Sequence, residues 1–417
     1  MALIVQKFGG TSVADVEHIQ NAARRIAHEH KRGHQVVAVV SAMAGVTNQL
    51  VSYVQAATPN PQLTEYDVVV SAGEQITSGL LALALQNFQI DARSYQGWQL
   101  PIQTNDDYSK AMIEEISTDC LKNDLDQGRV PIVAGFQGRS TTNRITTFGR
   151  GGSDITAVAL AAALSAERCD LYKDVSGIFT ADPRIVPQAR KLDCVSYEEM
   201  LELASQGSKV LQHRAVELAM VYNIPLRVFS SFEESTGTEI MHEDRMIEKA
   251  LIHGVTCTSN EAKITLTPRH AEPQALAQIL GALTDHAIHM DMIVQSHTGP
   301  ETSTPLTFTI PNHDLPKTQQ ILKDLDPLYL EGEILINRAV AKVSVVGVGL
   351  RNHSYLTGIL FRTLAHHGID ILGISTSEIK ISILVDQDFA ELTIRLLHAA
   401  YQLEKPAAAQ PKMYAVS

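Results

Sequence analysis

The sequence predicts an α/β protein in two halves: an open, mainly parallel sheet sandwiched by helices, followed by two small α/β sandwiches. Three observations predict it. The first half alternates short apolar runs, rich in β-branched residues, with longer helical patterns, the rhythm of a parallel sheet. Glycines cluster just after those runs, where the loops leave the carboxyl ends of the strands. The second half repeats itself: Ala262-Lys-Ile-Thr-Leu returns as Ala341-Lys-Val-Ser-Val, and Leu283 through Ile293 returns as Leu364 through Ile374.

Taken in order, Leu3–Lys7 reads as a strand, a helix starts at about Asp15, Gln35–Val40 is a second strand and a helix follows Ala44. Val130–Ala134, Asp170–Tyr172 and Pro225–Phe229 read as further strands, with Val158–Leu164 a strongly apolar helix between the first two. The first half closes near Thr238–Ile240, because the polar stretch Met241–Glu248 follows and the pattern changes. Each copy of the repeat reads strand, helix, strand, then a polar turn and more strands, as in Lys380–Val385 followed by a helix at Phe389–Leu403. The offset between copies grows by two residues in the loop before the first helix, where insertions are tolerated. The expected domains are therefore 1–245, 250–330 and 335–405, with 406–417 as a tail lacking amphipathic pattern.

At 417 residues, with 45% hydrophobic and 19% charged residues, the chain has the composition of an ordinary globular protein of two or three domains. A formal net charge of −12 argues against a nucleic-acid partner, since phosphate-backbone affinity needs clustered Lys and Arg. The four cysteines are widely spaced and the histidines share no metal-ligand spacing, so reduced cytoplasmic thiols are expected, with no disulfide framework and no structural metal. The beginning of the chain lacks a signal-peptide pattern, and no uninterrupted apolar run reaches about eighteen residues, so no membrane association is expected.

Three segments carry chemistry. Lys7-Phe-Gly-Gly-Thr-Ser12 puts a lysine at the end of a buried strand, followed by two glycines that let backbone amides approach an anion. It is not the G-x-x-x-x-G-K-[ST] loop, and taken alone two glycines after a strand are more often a plain tight turn. Gly149-Arg-Gly-Gly-Ser-Asp154 stands before a helical run, where free amides and a positive dipole end favour anions. Ser153 or Asp154 also suits a simple N-cap, whereas Arg150 at that place calls for an anion. Asp170 through Arg184 joins a strand to a turn-rich loop with Asp174, Asp182 and Arg184; such loops are solvated turns or, at a nucleotide site, sources of carboxylates for Mg²⁺ and cations for phosphate.

Together, Val5 through Val13, Val40-Ser-Ala-Met-Ala-Gly-Val-Thr47, Ser71-Ala-Gly-Glu74, Gly149–Asp154 and Phe179-Thr-Ala-Asp-Pro-Arg184 resemble, in order and spacing over nearly the whole chain, the aspartate kinases of the amino-acid-kinase superfamily. The repeat resembles two ferredoxin-like ACT domains. The resemblance implies ATP-dependent phosphorylation of the L-aspartate side chain, with Mg²⁺ carried on the ATP and no protein metal site. It makes Lys7 and Asp154 the catalytic pair. Ser41, Thr47, Glu74, Arg150, Gly151, Gly152 and Ser153 would hold the amino acid, Glu74 on its ammonium and Arg150 on its α-carboxylate. Lys7, Gly9, Gly10, Lys173, Asp174, Phe179, Asp182, Arg184 and Lys209 would surround the nucleotide. Met292, Gln295, Ile374 and Thr376 fall where an amino-acid effector, lysine or threonine, would bind, and pairing of ACT domains implies a homo-oligomer.

The sequence departs from that pattern at several places. Lys173 stands where many relatives have threonine, Phe179 replaces a frequent tyrosine, and Gln212-His213-Arg214 replaces His-Pro-Arg. The repeat loops Pro268–Pro273 and Arg351–Leu356 also differ, so effector identity does not carry over. Two competing classes are weighed against the kinase reading: a kinase for glutamate or a nucleoside monophosphate, and an amino-acid sensor with a silent kinase half. Glu74 and Arg150 favour an amino-acid substrate, and intact Lys7, Asp154 and Asp182 speak against decay.

Overall fold

The computed structural model describes residues 2–205, 210–243, 251–268, 273–295, 305–325, 330–351 and 353–406. The chain divides into two compact units. The first comprises Met1–Phe179, Lys191–Ser205 and Lys209–Ile247; the second comprises Thr180–Arg190, Gln206–Ser208 and Glu248–Ser417.

The first unit begins with β1 (Leu3–Phe8), α1 (Val16–Lys31), β2 (Gln35–Val40), α2 (Val46–Ala57), α3 (Leu63–Val70) and α4 (Ala72–Gln86). It continues with β3 (Ala92–Tyr95), β4 (Ile102–Thr104), β5 (Ile113–Ile116), α5 (Asp119–Asp126), β6 (Val130–Ala134), β7 (Gln137–Ser140), β8 (Ile145–Thr147) and α6 (Gly152–Ala163). It closes with β9 (Arg168–Lys173), β10 (Cys194–Ser196), α7 (Tyr197–Ser205), α8 (His213–Val221), β11 (Leu226–Ser230) and β12 (Thr238–Met241).

Eight of these strands form one sheet in the order β10-β12-β11-β9-β1-β2-β6-β3. All neighbours run parallel except β11 and β12. β2 and β6 are nearly continuous apolar runs, buried but for Gln35, as suits strands covered on both faces, whereas β1 and β9 also bury the polar Gln6, Lys7 and Asp170. Ile19, Ala22 and Ile26 of α1 pack with Leu81 and Leu85 of α4 against Val36, Ala38 and Val40 of β2. Asp15 caps α1 by accepting from the His18 amide at 2.9 Å. A second small sheet, β5-β4-β7-β8, is absent from the sequence reading; its strands are only three or four residues long and mostly polar, too short for a period to register. The stretch Leu63–Gln86 is long and apolar enough by composition to cross a bilayer, but half of it is buried inside the protein, and Asp67 and Glu74 lie within it.

The second unit contains β13 (Gly254–Pro268), α9 (Pro273–Asp285), β14 (Asp291–Gln295), β15 (Leu306–Pro311) and α10 (Leu315–Asp324), then β16 (Leu330–Val346), α11 (Ser354–His366), β17 (Gly373–Thr376), β18 (Lys380–Asp386) and α12 (Ala390–Ala400). The two repeat copies share one antiparallel sheet, β14-β15-β13-β16-β18-β17. The long strands β13 and β16 run through both copies. Ala262–Leu266 pairs with β15 in the first core, whereas Gly254–Thr258 pairs with Lys342–Val346, and Val255 packs in the second core with Val343, Leu360 and Ile383. The segment 180–190 belongs to that second core too, through Ala181 and Val186.

Candidate active site

In an open parallel sheet the loops diverge where the strand order reverses, leaving a crevice at the carboxyl ends. Here the order reverses at β1, flanked by β2 on one side and β9 on the other. A cleft of about 710 Å³ opens there. Its walls include Lys7, Gly10, the loop Ser41–Gly45, Thr47, Glu74, the run Gly149–Asp154 and Lys173.

Lys7 lies next to the last residue of β1, in register with Val39 and Leu171. Its ammonium is buried and pairs with Asp154 Oδ1 at 2.6 Å. The second oxygen of Asp154 pairs with Lys173 Nζ, also at 2.6 Å. Burial and the neighbouring Lys173 ammonium, against the attraction of Asp154, bring Lys7 down to about 8. Burial alone would raise the Asp154 carboxyl, but the ammoniums of Lys173 and Lys7 outweigh it and hold it near about 2. The pair is therefore ionised at neutral pH.

Asp154 reaches this position because α6 starts deep in the site. Gly149 and Gly151 both have positive φ, at 74° and 75°, and turn the chain so that the Asp154 amide donates to Gly151 O at 2.9 Å. A Cβ on Gly151 would stand 1.8 Å from Gln212 Cγ, and one on Gly135 would stand 2.8 Å from Ser153 Cβ. Only glycine permits these approaches. Arg150 is exposed on the wall of the cleft, with no side-chain ion pair or hydrogen bond among the described residues.

Glu74 occupies the first turn of α4 and is 3% exposed. Burial pushes its carboxyl up to about 7, against a backbone bond from Ala42 and the Lys7 charge. Its Oε2 has no hydrogen-bond partner among the described residues. A buried carboxylate oxygen without a donor costs free energy until a ligand supplies one. The cleft thus holds an unfilled acceptor, an unpaired guanidinium and a pair of ammoniums, the receptors that a zwitterionic amino acid and a phosphate require.

Other expected residues fall elsewhere. Gly9 is not among the cleft-lining residues; its amide is engaged by Tyr172 O at 3.3 Å. Asp174 is exposed beyond β9, and Phe179 bridges to Lys191. Asp182 and Arg184 lie in the second unit and pair with each other at 2.6 Å. Lys209 lies outside the described residues, as do residues 269–272 and 352 of the altered repeat loops. Met292 and Gln295 lie on β14, and Ile374 and Thr376 on β17, the two edge strands of the second sheet.

Sequence reasoning missed the residues that hold the cleft's loops. Asp67 of α3 accepts from the Ser109 amide at 2.9 Å, the Thr147 amide at 2.9 Å and Thr147 Oγ1 at 2.7 Å. Arg214 of α8 donates to Phe148 O and Ala111 O, each at 3.1 Å. The signal for Asp67 was present: a carboxylate beside the apolar run Val68–Val70 must be bonded if buried.

The chain matches known proteins over nearly its whole length. Residues 2–230 match the model of the amino acid kinase family, and residues 343–401 match that of an ACT domain. The aspartate kinase of Pseudomonas putida is 45% identical over 408 residues, 98% of this chain and 99% of its own, and the aspartokinase of Helicobacter pylori strain J99 is 44% identical over 97% and 100%. Among solved structures, E. coli aspartokinase III in complex with aspartate and ADP superposes with a TM-score of 0.83 at 26% identity, covering 95% of this chain and 99% of that one. The chain belongs to the amino acid kinase family. Its reaction within that family is that of an aspartate kinase, the transfer of a phosphoryl group from ATP to the side-chain carboxylate of L-aspartate.

Proposed function

We propose that the cleft at the carboxyl ends of β1, β2 and β9 is where that transfer takes place. The observation that carries the reading is the Lys7–Asp154 ion pair, buried at the floor of a cleft whose wall also bears Arg150 and the unpartnered Glu74 oxygen. Glu74 receives the substrate's ammonium and Arg150 its α-carboxylate, while Ser41, Thr47, Gly151, Gly152 and Ser153 supply the remaining contacts. The side-chain carboxylate then faces Lys7. It is ionised at neutral pH, so no general base is needed. One of its oxygens bonds to the γ-phosphorus as the bond to the β-phosphate oxygen breaks, giving an acyl phosphate and ADP, with Lys7 stabilising the charge that shifts.

Mg²⁺ would arrive as the companion of the nucleotide's phosphates. It neutralises phosphate oxygens when bound. Asp174 and Phe179 of the first unit complete the nucleotide's surroundings in this reading. An amino-acid effector, lysine or threonine, acts on the ACT pair at the β14 and β17 edges; E. coli aspartokinase III, in complex with lysine and aspartate (T-state), superposes with a TM-score of 0.76 at 26% identity. The enzyme is a cytoplasmic homo-oligomer joined through its ACT domains.

ADP release from Mg-ATP, compared with L-aspartate and L-glutamate, tests the site assignment when parent and Lys7→Ala are run together. Release with aspartate that Lys7→Ala abolishes is expected. Parent-like release by Lys7→Ala would remove Lys7 from the site. Titration with lysine and threonine tests the effector, and light scattering tests the oligomer.

A further inference from the structure

Lys173 behaves in a way its place in the chain does not require. It is the last residue of β9, where a lysine ordinarily extends its stem and leaves the ammonium in water. Instead its side chain is 15% exposed, and its ammonium sits 2.6 Å from an Asp154 oxygen whose twin is already held by Lys7. Drawing an ammonium out of water costs several kcal/mol. One lysine suffices to neutralise one carboxylate, so charge balance does not explain a second.

The triad instead leaves the floor of the cleft with one surplus positive charge. Glu74 is the other carboxylate among the described lining residues, Arg150 the remaining cation. A neutral side chain at 173 would bring no charge, so the surplus comes from Lys173 itself. Like charges held close are unfavourable unless an anion arrives between or above them. The chemistry that satisfies such a pair is a phosphoryl group, whose oxygens take two ammoniums while Asp154 keeps them from separating.

We propose that Lys173 is a second phosphoryl-directed cation of the reaction centre, placed beside Lys7 by their shared carboxylate. The proposal rests on reading Lys7 and Asp154 as that centre. Asp154 acts here as the spacer between the two cations rather than as a base.

Steady-state kinetics of the full chain with Lys173→Thr, Lys173→Met and Lys173→Arg test it. Threonine and methionine are expected to lower kcat about tenfold or more, leaving KM for aspartate within about twofold, and arginine restores much of the rate. The pH profile gives a second readout. The charged groups facing Lys7 are Asp154 on α6, Lys173 on β9 and Glu74 on α4; the Cys169 thiol on β9 is pushed up by burial and stays neutral. Removing the Lys173 charge removes one of the causes that lower Lys7 from its ordinary value to about 8, so the basic limb of kcat moves to higher pH in the threonine and methionine variants. A rate and limb unchanged in both would overturn the proposal. So would a fall in rate with an unmoved limb and no rescue by arginine, which assigns Lys173 to packing alone. Methionine keeps the stem's volume and decides the matter if threonine leaves a void. Parent-like turnover by Lys7→Ala would instead sink the underlying reading of the centre.

Discussion

Each unit holds a cluster of three charged side chains, and the two clusters are opposite in charge balance. Lys7 and Asp154, like Lys342 and Glu261, are buried, whereas Asp291 is exposed. In the kinase unit one carboxylate, Asp154, serves two ammoniums, Lys7 and Lys173. In the ACT unit one ammonium, Lys342, serves two carboxylates: Asp291, with which it forms a close ion pair, and Glu261 at 3.8 Å. Where the members sit explains what each cluster does. Lys7, Lys173 and Asp154 stand at the ends of β1 and β9 and in the first turn of α6, where strands stop and a cleft opens. Lys342 and Glu261 stand inside the long strands β16 and β13, and Asp291 begins β14, so the same chemistry there ties strands together. A buried charge excess at the end of a strand is addressed to a ligand; one in the middle is addressed to the fold.

The largest effect expected from this contrast is on turnover. If the proposed centre is right, Lys7→Ala removes its phosphoryl-facing cation and is expected to lower aspartate-dependent kcat on the order of 10²–10³-fold, measured by ADP release. Its effect on stability is small by comparison, because Asp154 keeps Lys173 as a partner. Lys342→Met reverses the pattern. It leaves the buried Glu261 without its cation, a situation that costs about 3–5 kcal/mol in buried pairs, and should lower the urea midpoint of the ACT unit far more than Lys7→Ala lowers that of the kinase unit. Equal stability losses in the two variants would break the comparison.

How much of this was legible in the sequence follows the same division. Lys7 and Gly149–Asp154, which line one cleft, stood out as candidates because each belongs to a short run at a strand or helix end, whereas Glu74 entered only through the family resemblance. The strands Gln35–Val40 and Val130–Ala134 were read to the residue because they are unbroken β-branched and apolar runs. The shared six-stranded sheet was not legible: Gly254–Thr258 joins Lys342–Val346 across more than eighty residues, and nothing local in either strand names its partner. Asp67 was missed for the same reason, since its partners Ser109 and Thr147 lie 42 and 80 residues away. It makes a third test. Asp67→Ala orphans the buried amide and hydroxyl of Thr147 and the half-buried amide of Ser109, at about 1–3 kcal/mol for each buried group in the worst case. Because Thr147 and Ser109 line the cleft, KM for aspartate should rise about tenfold while kcat falls less. Unchanged KM would assign Asp67 to stability alone.

The smallest effect concerns Glu74, whose surplus charge is of the ligand-directed kind but of opposite sign. In the proposed site its ionised form is the one that would receive an ammonium. Burial holds its carboxyl at about 7, well above an ordinary glutamate, so the proton competes with substrate over a range in which the substrate itself does not titrate: the aspartate side chain ionises near about 3.9. The sign is therefore fixed. As pH falls through about 7, free enzyme takes up a proton at Glu74 and KM for aspartate rises, approaching tenfold per pH unit well below that value, while kcat at saturating aspartate changes little because bound substrate holds the carboxylate ionised. Glu74→Gln should show a high KM that no longer varies between about pH 5.5 and 8. A parent enzyme whose KM is flat over that interval would mean that the substrate's ammonium is received elsewhere, and the unpartnered Oε2 would then need a different donor.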